Sequence, residues 1–237
     1  MTLQLVNDPI LEKVQKHFEH LGIQSSISDE KLDFESGYVD SYMMEGKDGI
    51  CTAGSLKLYN SPIDYLHLVK KQEYAKCDFA VGGHVGMGVH LHSWWKMRFF
   101  LSFPVPLNLG PFDMGTITTV KKGLLHSEVE SFVWSGYPKL TTLPPGLVRD
   151  NVAEALDSNE ALKKSMIKNL LKERTIIVSR FSPSQTGLNI KTGSIVKIES
   201  QWKLQKDLFI DKDTLSMYEM LASTVKTVVN SLKYHLQ

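Results

Sequence analysis

The chain has 237 residues, 42% hydrophobic and 22% charged, with 27 basic against 26 acidic side chains. That length buries one large core or two small ones, and the charge balance excludes a general pull toward nucleic acid or an anionic membrane. No apolar stretch approaches the ~20 residues of a bilayer-spanning helix, and two cysteines, Cys51 and Cys77, make no disulfide framework, so the composition predicts a cytoplasmic protein with reduced thiols.

Asn7, Asp8 and Pro9 read as a helix start. Ile10, Val14, Phe18 and Leu21 form its apolar stripe and Gly22 its stop. Residues 37–44 and 50–58 are predicted strands around the turn Gly46-Lys47-Asp48-Gly49. Ser61-Pro62 predicts a second helix running to about Lys76, with Asp64 answering free backbone donors.

The stretch 82–103 carries the strongest pattern. Met87, Val89, Leu91, Trp95, Met97, Phe99, Leu101 and Phe103 share one parity, broken by Ser93. Gly88, His90, His92, Trp94, Lys96, Arg98, Phe100 and Ser102 share the other. Alternation this long predicts a strand with one buried face and one chemically mixed face. Gly82, Gly83, Gly86 and Gly88 allow it to curve at its start.

Pro104, Pro106 and Pro111 mark a connector at 104–111 between two halves of a single domain covering 1–237. The halves have a similar element order, which raises a degenerate duplication. Residues 113–120 and 124–134 predict a hairpin, and 137–146 a loop. A helical stretch at 147–173 breaks near Asp157-Ser158. Strands are expected at 174–181 and 193–206, the second with Val196, Ile198, Trp202 and Leu204 on one side and Lys197, Glu199, Gln201, Lys203 and Gln205 on the other. A helix at about 213–236, capped by Asp213 or Thr214, ends the chain.

These elements predict an α+β protein: a long curved antiparallel β-sheet packed against a long C-terminal helix. The architecture resembles the helix-grip fold of the Bet v 1 and START families. The helical segment at 147–173 departs from their usual order. What the resemblance implies is a cavity between sheet and helix that holds an apolar ligand.

His90-x-His92 is the sharpest chemical signal. On a strand, such residues project on one side ~6.5–7 Å apart. A divalent metal there needs further ligands, and His126 and Glu128 supply them if the strand 124–134 lies beside 87–103. The cupin comparison fails, because His84 stands where its glycine belongs and Lys96 or Met97 where its glutamate belongs. Gly-x-Ser-x-Gly and phosphate-loop spacings are absent from the sequence. Trp94 and Phe100 on the mixed face imply a cover, either the N-terminal helix or a ligand. The leading expectation is a small apolar or amphipathic ligand bound by His90, His92, Trp94, Arg98 and Phe100, with no cofactor, nucleic acid or membrane insertion. The alternatives are an enzyme using His90 and His92 through a metal or as acid and base, and an interaction protein without ligand. A second copy of the chain is compatible with all three.

Overall fold

The computed structural model describes residues 9–28, 34–36, 50–78, 89–105, 112–123, 127–136, 147–180, 188–190, 195–201 and 203–233. The strand expected at 37–44, the glycine-rich start of the long strand, the connector beyond Val105 and the 137–146 loop lie outside these residues.

The described elements are α1 (Pro9–His20), β1 (Gln24–Ser28), β2 (Phe34–Ser36), β3 (Ile50–Tyr59), β4 (Tyr65–Asp78), β5 (Val89–Pro104), β6 (Phe112–Lys122), β7 (Ser127–Gly136), α2 (Leu147–Ser158), α3 (Glu160–Glu173), β8 (Ile177–Arg180), β9 (Leu188–Ile190), β10 (Ile195–Glu199), β11 (Lys203–Leu204), a 3-10 turn (Gln205–Asp207) and α4 (Lys212–Lys233). The protein is α+β. Its main sheet is curved, antiparallel and nine-stranded, in the order β1-β3-β4-β5-β10-β8-β6-β7, with β11 also pairing β5. β2 and β9 form a separate pair.

The helices cover one face. Leu56, Leu66, Leu68, Met97, Phe99, Leu101, Phe103, Val178, Val196 and Ile198 project there from the strands. Val14 and Phe18 of α1, Val152 and Leu156 of α2, Met166 and Leu170 of α3, and Tyr218, Leu221 and Val225 of α4 complete the core. Phe99 meets Tyr218 edge to face, with ring centroids 5.6 Å apart. The Tyr218 hydroxyl donates to Glu173 Oε2 at 2.7 Å, and Lys203 Nζ reaches Oε1 at 2.5 Å. Burial, with Glu173 beside it, pushes the Tyr218 phenol well above its ordinary value.

Helix ends follow local chemistry. Gly22, at φ +88°, closes α1, where Ile23 N–H donates to the Phe18 carbonyl and Gly22 N–H to that of Glu19. Asn159 breaks the 147–173 helix where expected, accepting from Leu162 N–H at 3.0 Å to start α3. Asp211 caps α4, in place of Asp213 or Thr214, by accepting from Thr214 N–H at 2.8 Å. The Lys172 ammonium and that N–H hold its carboxyl at about 2.

The helix expected at 61–76 is a strand. Ser61 Oγ accepts from Ile63 N–H at 3.2 Å, a local turn and not a cap. Asp64 leaves the backbone donors alone and takes Lys226 Nζ at 2.6 Å. From Tyr65 the chain pairs with β3 on one side and β5 on the other, in register from Tyr65–Ser102 to Asp78–Val89. Leu66 and Leu68 point into the core while His67 and Val69 are buried on the opposite side. A strand dry on both sides loses the polar alternation that would identify it.

Beyond Glu199 the sheet face also switches. The chain breaks at Ser200 and resumes at β11, where Lys203 pairs with Met97 and turns to the core while Leu204 is exposed. The break reverses the parity expected over 203–205.

Gly54 sits at the bulge where β3 shifts register against β4, with φ +127°. A Cβ there would lie 2.4 Å from Leu11 Cδ1 of α1. Gly54→Ala is therefore expected to cost about 2–4 kcal/mol from backbone strain and overpacking. Urea denaturation checks it; a loss under about 0.5 kcal/mol would show that α1 does not depend on this close approach.

Candidate functional site: a buried polar face of the sheet

The sheet face turned away from the helices carries the chemistry. Register sets its rows. Ser55 of β3 lies opposite His67 of β4, His67 opposite Phe100 of β5, Phe100 opposite Glu199 of β10, and Glu199 opposite Ile177 of β8. The neighbouring row runs Lys57, Tyr65, Ser102, Lys197, Ser179 and Asp113. Val69 and Arg98 begin a third.

This face is dry at its centre. Arg98 is 1% exposed, Glu199 0%, Lys197 4% and Asp113 5%. Arg98 Nη2 lies 2.9 Å from Glu199 Oε2, and Lys197 Nζ 3.2 Å from Oε1. One carboxylate thus holds two cations by charge, in positions off strict hydrogen-bond geometry. Both cations also sit over the Phe100 ring, at 5.1 Å for Arg98 and 5.4 Å for Lys197. Burial pulls both cations below their ordinary values, and Glu199 opposes it. Asp113 is pushed up to about 6 by burial, with Lys197 opposing and Glu199 reinforcing the shift. Asp113 Oδ1 and Ser179 Oγ are buried without a hydrogen bond to any described residue.

Beside the charges lies a hydroxyl–imidazole line. His67 Nδ1 is 2.6 Å from Ser55 Oγ and its Nε2 2.9 Å from Ser102 Oγ. Tyr65 stacks on the imidazole, with centroids 5.8 Å apart. Burial pulls His67 down to about 3, so the ring is neutral at physiological pH.

Further out the same face changes character. Ile117 and Val133, opposite each other in register, are 57% and 58% exposed.

Of the residues the sequence singled out, Arg98 and Phe100 meet in this cluster, both buried. His90, His92 and Trp94 lie on β5 opposite Cys77, Ala75 and Glu73, toward its far end. The expected four-ligand metal cluster lacks its strand pairing. Glu128 is on β7, which pairs only with β6 in the sheet order, four strand places from β5 or about 19 Å along the sheet. His126 lies outside the described residues. No group of three or more His, Cys, Asp or Glu suited to a metal occurs among the described residues. The N-terminal helix does not cover the mixed face either: Val14 and Phe18 pack with Leu66, Leu68 and Phe99 on the helix side. Sequence reasoning missed His67, because it read as helical, and Ser55, Ser102, Lys197 and Asp113, each ordinary for a wet strand face.

On the helix side, one cavity lies between α1, β4, β5 and residues 208–210, lined by Val14, His17, Phe18, Leu66, Leu68 and Phe99 among others, with a volume of about 10 Å³. That is about one water molecule. Among the described residues no helix is long and apolar enough to cross a membrane. Comparison with protein families, curated proteins and solved structures finds no match, so the helix-grip likeness rests on architecture alone.

The two shifted groups predict opposite pH dependences. His67 favours its neutral form in the fold, so its contribution is complete above pH 6.5 and is lost as pH falls toward 3. Asp113 also favours its neutral form, so its contribution is complete below pH 3.8 and is lost as pH rises through 6. Asp113→Asn is expected to stabilise the fold at pH 7.5 by about 2–3 kcal/mol and by much less at pH 4. His67→Gln is expected to flatten the acid limb between pH 6.5 and 4. Urea midpoints across pH 4–8 check both; parallel profiles for wild type and variants would overturn the assignment.

Proposed function

We propose that the protein binds a small amphipathic ligand on the buried polar face of its sheet, with the ligand's polar end between Ser102, Lys197, Ser179 and Asp113. The observation that carries this reading is the row itself: neighbouring buried groups on β10, β8 and β6 with hydrogen-bonding capacity their described surroundings do not use. Native proteins keep few such atoms, and three in one row support the reading of a binding surface. Phe100, Ile177 and Val69 are buried on this face apart from the helix-side core. They suit the ligand's apolar part.

Native mass spectrometry of the purified protein and displacement of a fluorescent fatty-acid probe test the proposal. The expected result is saturable binding, weakened at least tenfold by Lys197→Met and unchanged by Ile117→Ser on the exposed outer sheet. Removing one partner of a buried ion pair costs stability, but Arg98 stays on Glu199 and methionine fills the space of the lysine, so circular dichroism first establishes that the variant is folded. Equal binding by wild type and Lys197→Met, with both folded, removes this face from consideration.

A second reading has one specific support. Ser102, His67 and Ser55 are in line at hydrogen-bonding distances, the order of a nucleophile, a base and a group that orients the base. In that reading Ser102 Oγ attacks an ester carbonyl while its proton passes to His67, and the ester C–O bond then breaks as His67 returns that proton to the departing alcohol, leaving an acyl-serine. Against it stands the low basicity of the buried imidazole. A fluorophosphonate probe decides: labelling of wild type, lost in Ser102→Ala, supports the nucleophile, and an unlabelled folded protein ends that reading.

A further inference from the structure

We propose that the ligand's polar end is a monoanion of the carboxylate class, and that its seat beside Lys197 becomes electrostatically open when Asp113 takes up a proton. This rests on the ligand-binding reading above.

Among the described buried residues of this face, Arg98 and Lys197 are the two cationic side chains, Glu199 and Asp113 the two acidic ones. With all four ionised the cluster is neutral, and an entering anion gains no net attraction to offset its desolvation. Removing one negative charge leaves a single positive charge, the complement of a monoanion but not of a dianion.

Geometry selects which carboxylate yields. Glu199 lies within 2.9 Å of one cation and 3.2 Å of the other. Taking its charge away would strand two buried cations. Asp113 stands at the end of the row, beyond Ser179 from Lys197, with Oδ1 lacking a hydrogen bond to any described residue. Its backbone-bonded oxygen accepts from Met114, which favours the charged form, but burial outweighs this and holds the carboxyl at about 6. The other groups facing it among the described residues do not compete. Lys197 and Arg98 both lie against Glu199, and His67 on β4 is pulled down to about 3 by burial. Arg180, though next to Ser179 in sequence, lies at a register position of the opposite parity, opposite Phe112. The seat of the anion is therefore Lys197 Nζ, flanked by the Ser102 and Ser179 hydroxyls as donors.

Isothermal titration with octanoate and octanol at pH 5.5 and 7.5 tests this on the whole chain. If only the Asp113-protonated form accepts the anion, apparent octanoate affinity rises on the order of 20-fold from pH 7.5 to 5.5, the ratio of the competent populations. Octanol, with the same tail and no charge, is expected to bind weakly and equally at both pH values. Asp113→Asn is expected to bind octanoate at pH 7.5 as tightly as wild type does at pH 5.5. Equal octanoate binding by wild type at both pH values overturns the proton coupling and leaves the ligand-binding reading standing. Octanol binding as tightly as octanoate overturns the anion class. Failure of octanoate to bind under any condition overturns this inference, while native mass spectrometry and probe displacement judge the ligand-binding reading on their own. Circular dichroism at each pH establishes that the proteins compared are folded, and the wild-type profile alone decides the matter if the variant is not.

Discussion

The buried carboxylate of Glu199 is the constraint around which the sheet is organised. It stands on β10, the strand that joins the β1–β3–β4–β5 half of the sheet to the β8–β6–β7 half. There it holds a cation from β5, Arg98, and one from its own strand, Lys197. An ionised carboxylate at 0% exposure is sustainable only beside compensating charge, and each cation likewise depends on it. The three side chains with the Phe100 ring therefore form a unit that ties the two central strands in one register. A slip of one residue would carry Glu199 and Lys197 into the helix-side core and Ile198 out of it. The charges thus make register errors costly at the junction where the two halves meet.

The opposite face meets the same requirement by other means. It is closed by the long apolar stripe of α4 and by α1, α2 and α3. Glu173 is shared by Tyr218 and Lys203, so a helix end, the terminal helix and β11 are joined through one carboxylate. The resulting sheet is dry on both sides at its centre and turns wetter toward β7, where Ile117 and Val133 are exposed. Two dry faces explain why Leu66, His67, Leu68 and Val69 of β4 lack the simple inward–outward polarity of a half-covered sheet.

That same property decided what was legible in the sequence. The apolar parity of Met97, Phe99, Leu101 and Phe103, the stripe of the last helix and the 112–136 hairpin could be read because each contrasts a buried side with a different one. The curved antiparallel sheet with its terminal helix followed from them. β4 was not legible. Leu66, His67, Leu68 and Val69 are buried on alternate sides, so the run offers no polar side, and Ser61-Pro62 mimics a helix start. Arg98 and Phe100 could be chosen because they share a face with large apolar groups. Lys197 and Asp113 could not, since a lysine between Val196 and Ile198 looks like any solvated strand position until its neighbours across three strands are known. Long-range register, which local pattern does not encode, brought them together.

The composition of the cluster bears on why it exists. Holding register could be achieved more cheaply by apolar side chains of matched volume, because buried ion pairs seldom gain as much from their attraction as they lose in desolvation. Asp113 adds to that cost without returning a contact to Glu199, whose like charge raises its carboxyl further. Such a cost, with Asp113 Oδ1 and Ser179 Oγ meeting no hydrogen-bond partner among the described residues, is what the proposed binding surface would account for, since local rules of folding yield where function requires it. The Arg98–Glu199–Lys197 unit is intelligible as structure alone. At its edge, the hydrogen-bonding capacity of Asp113 and Ser179 that the described residues leave unused carries the proposal for a ligand.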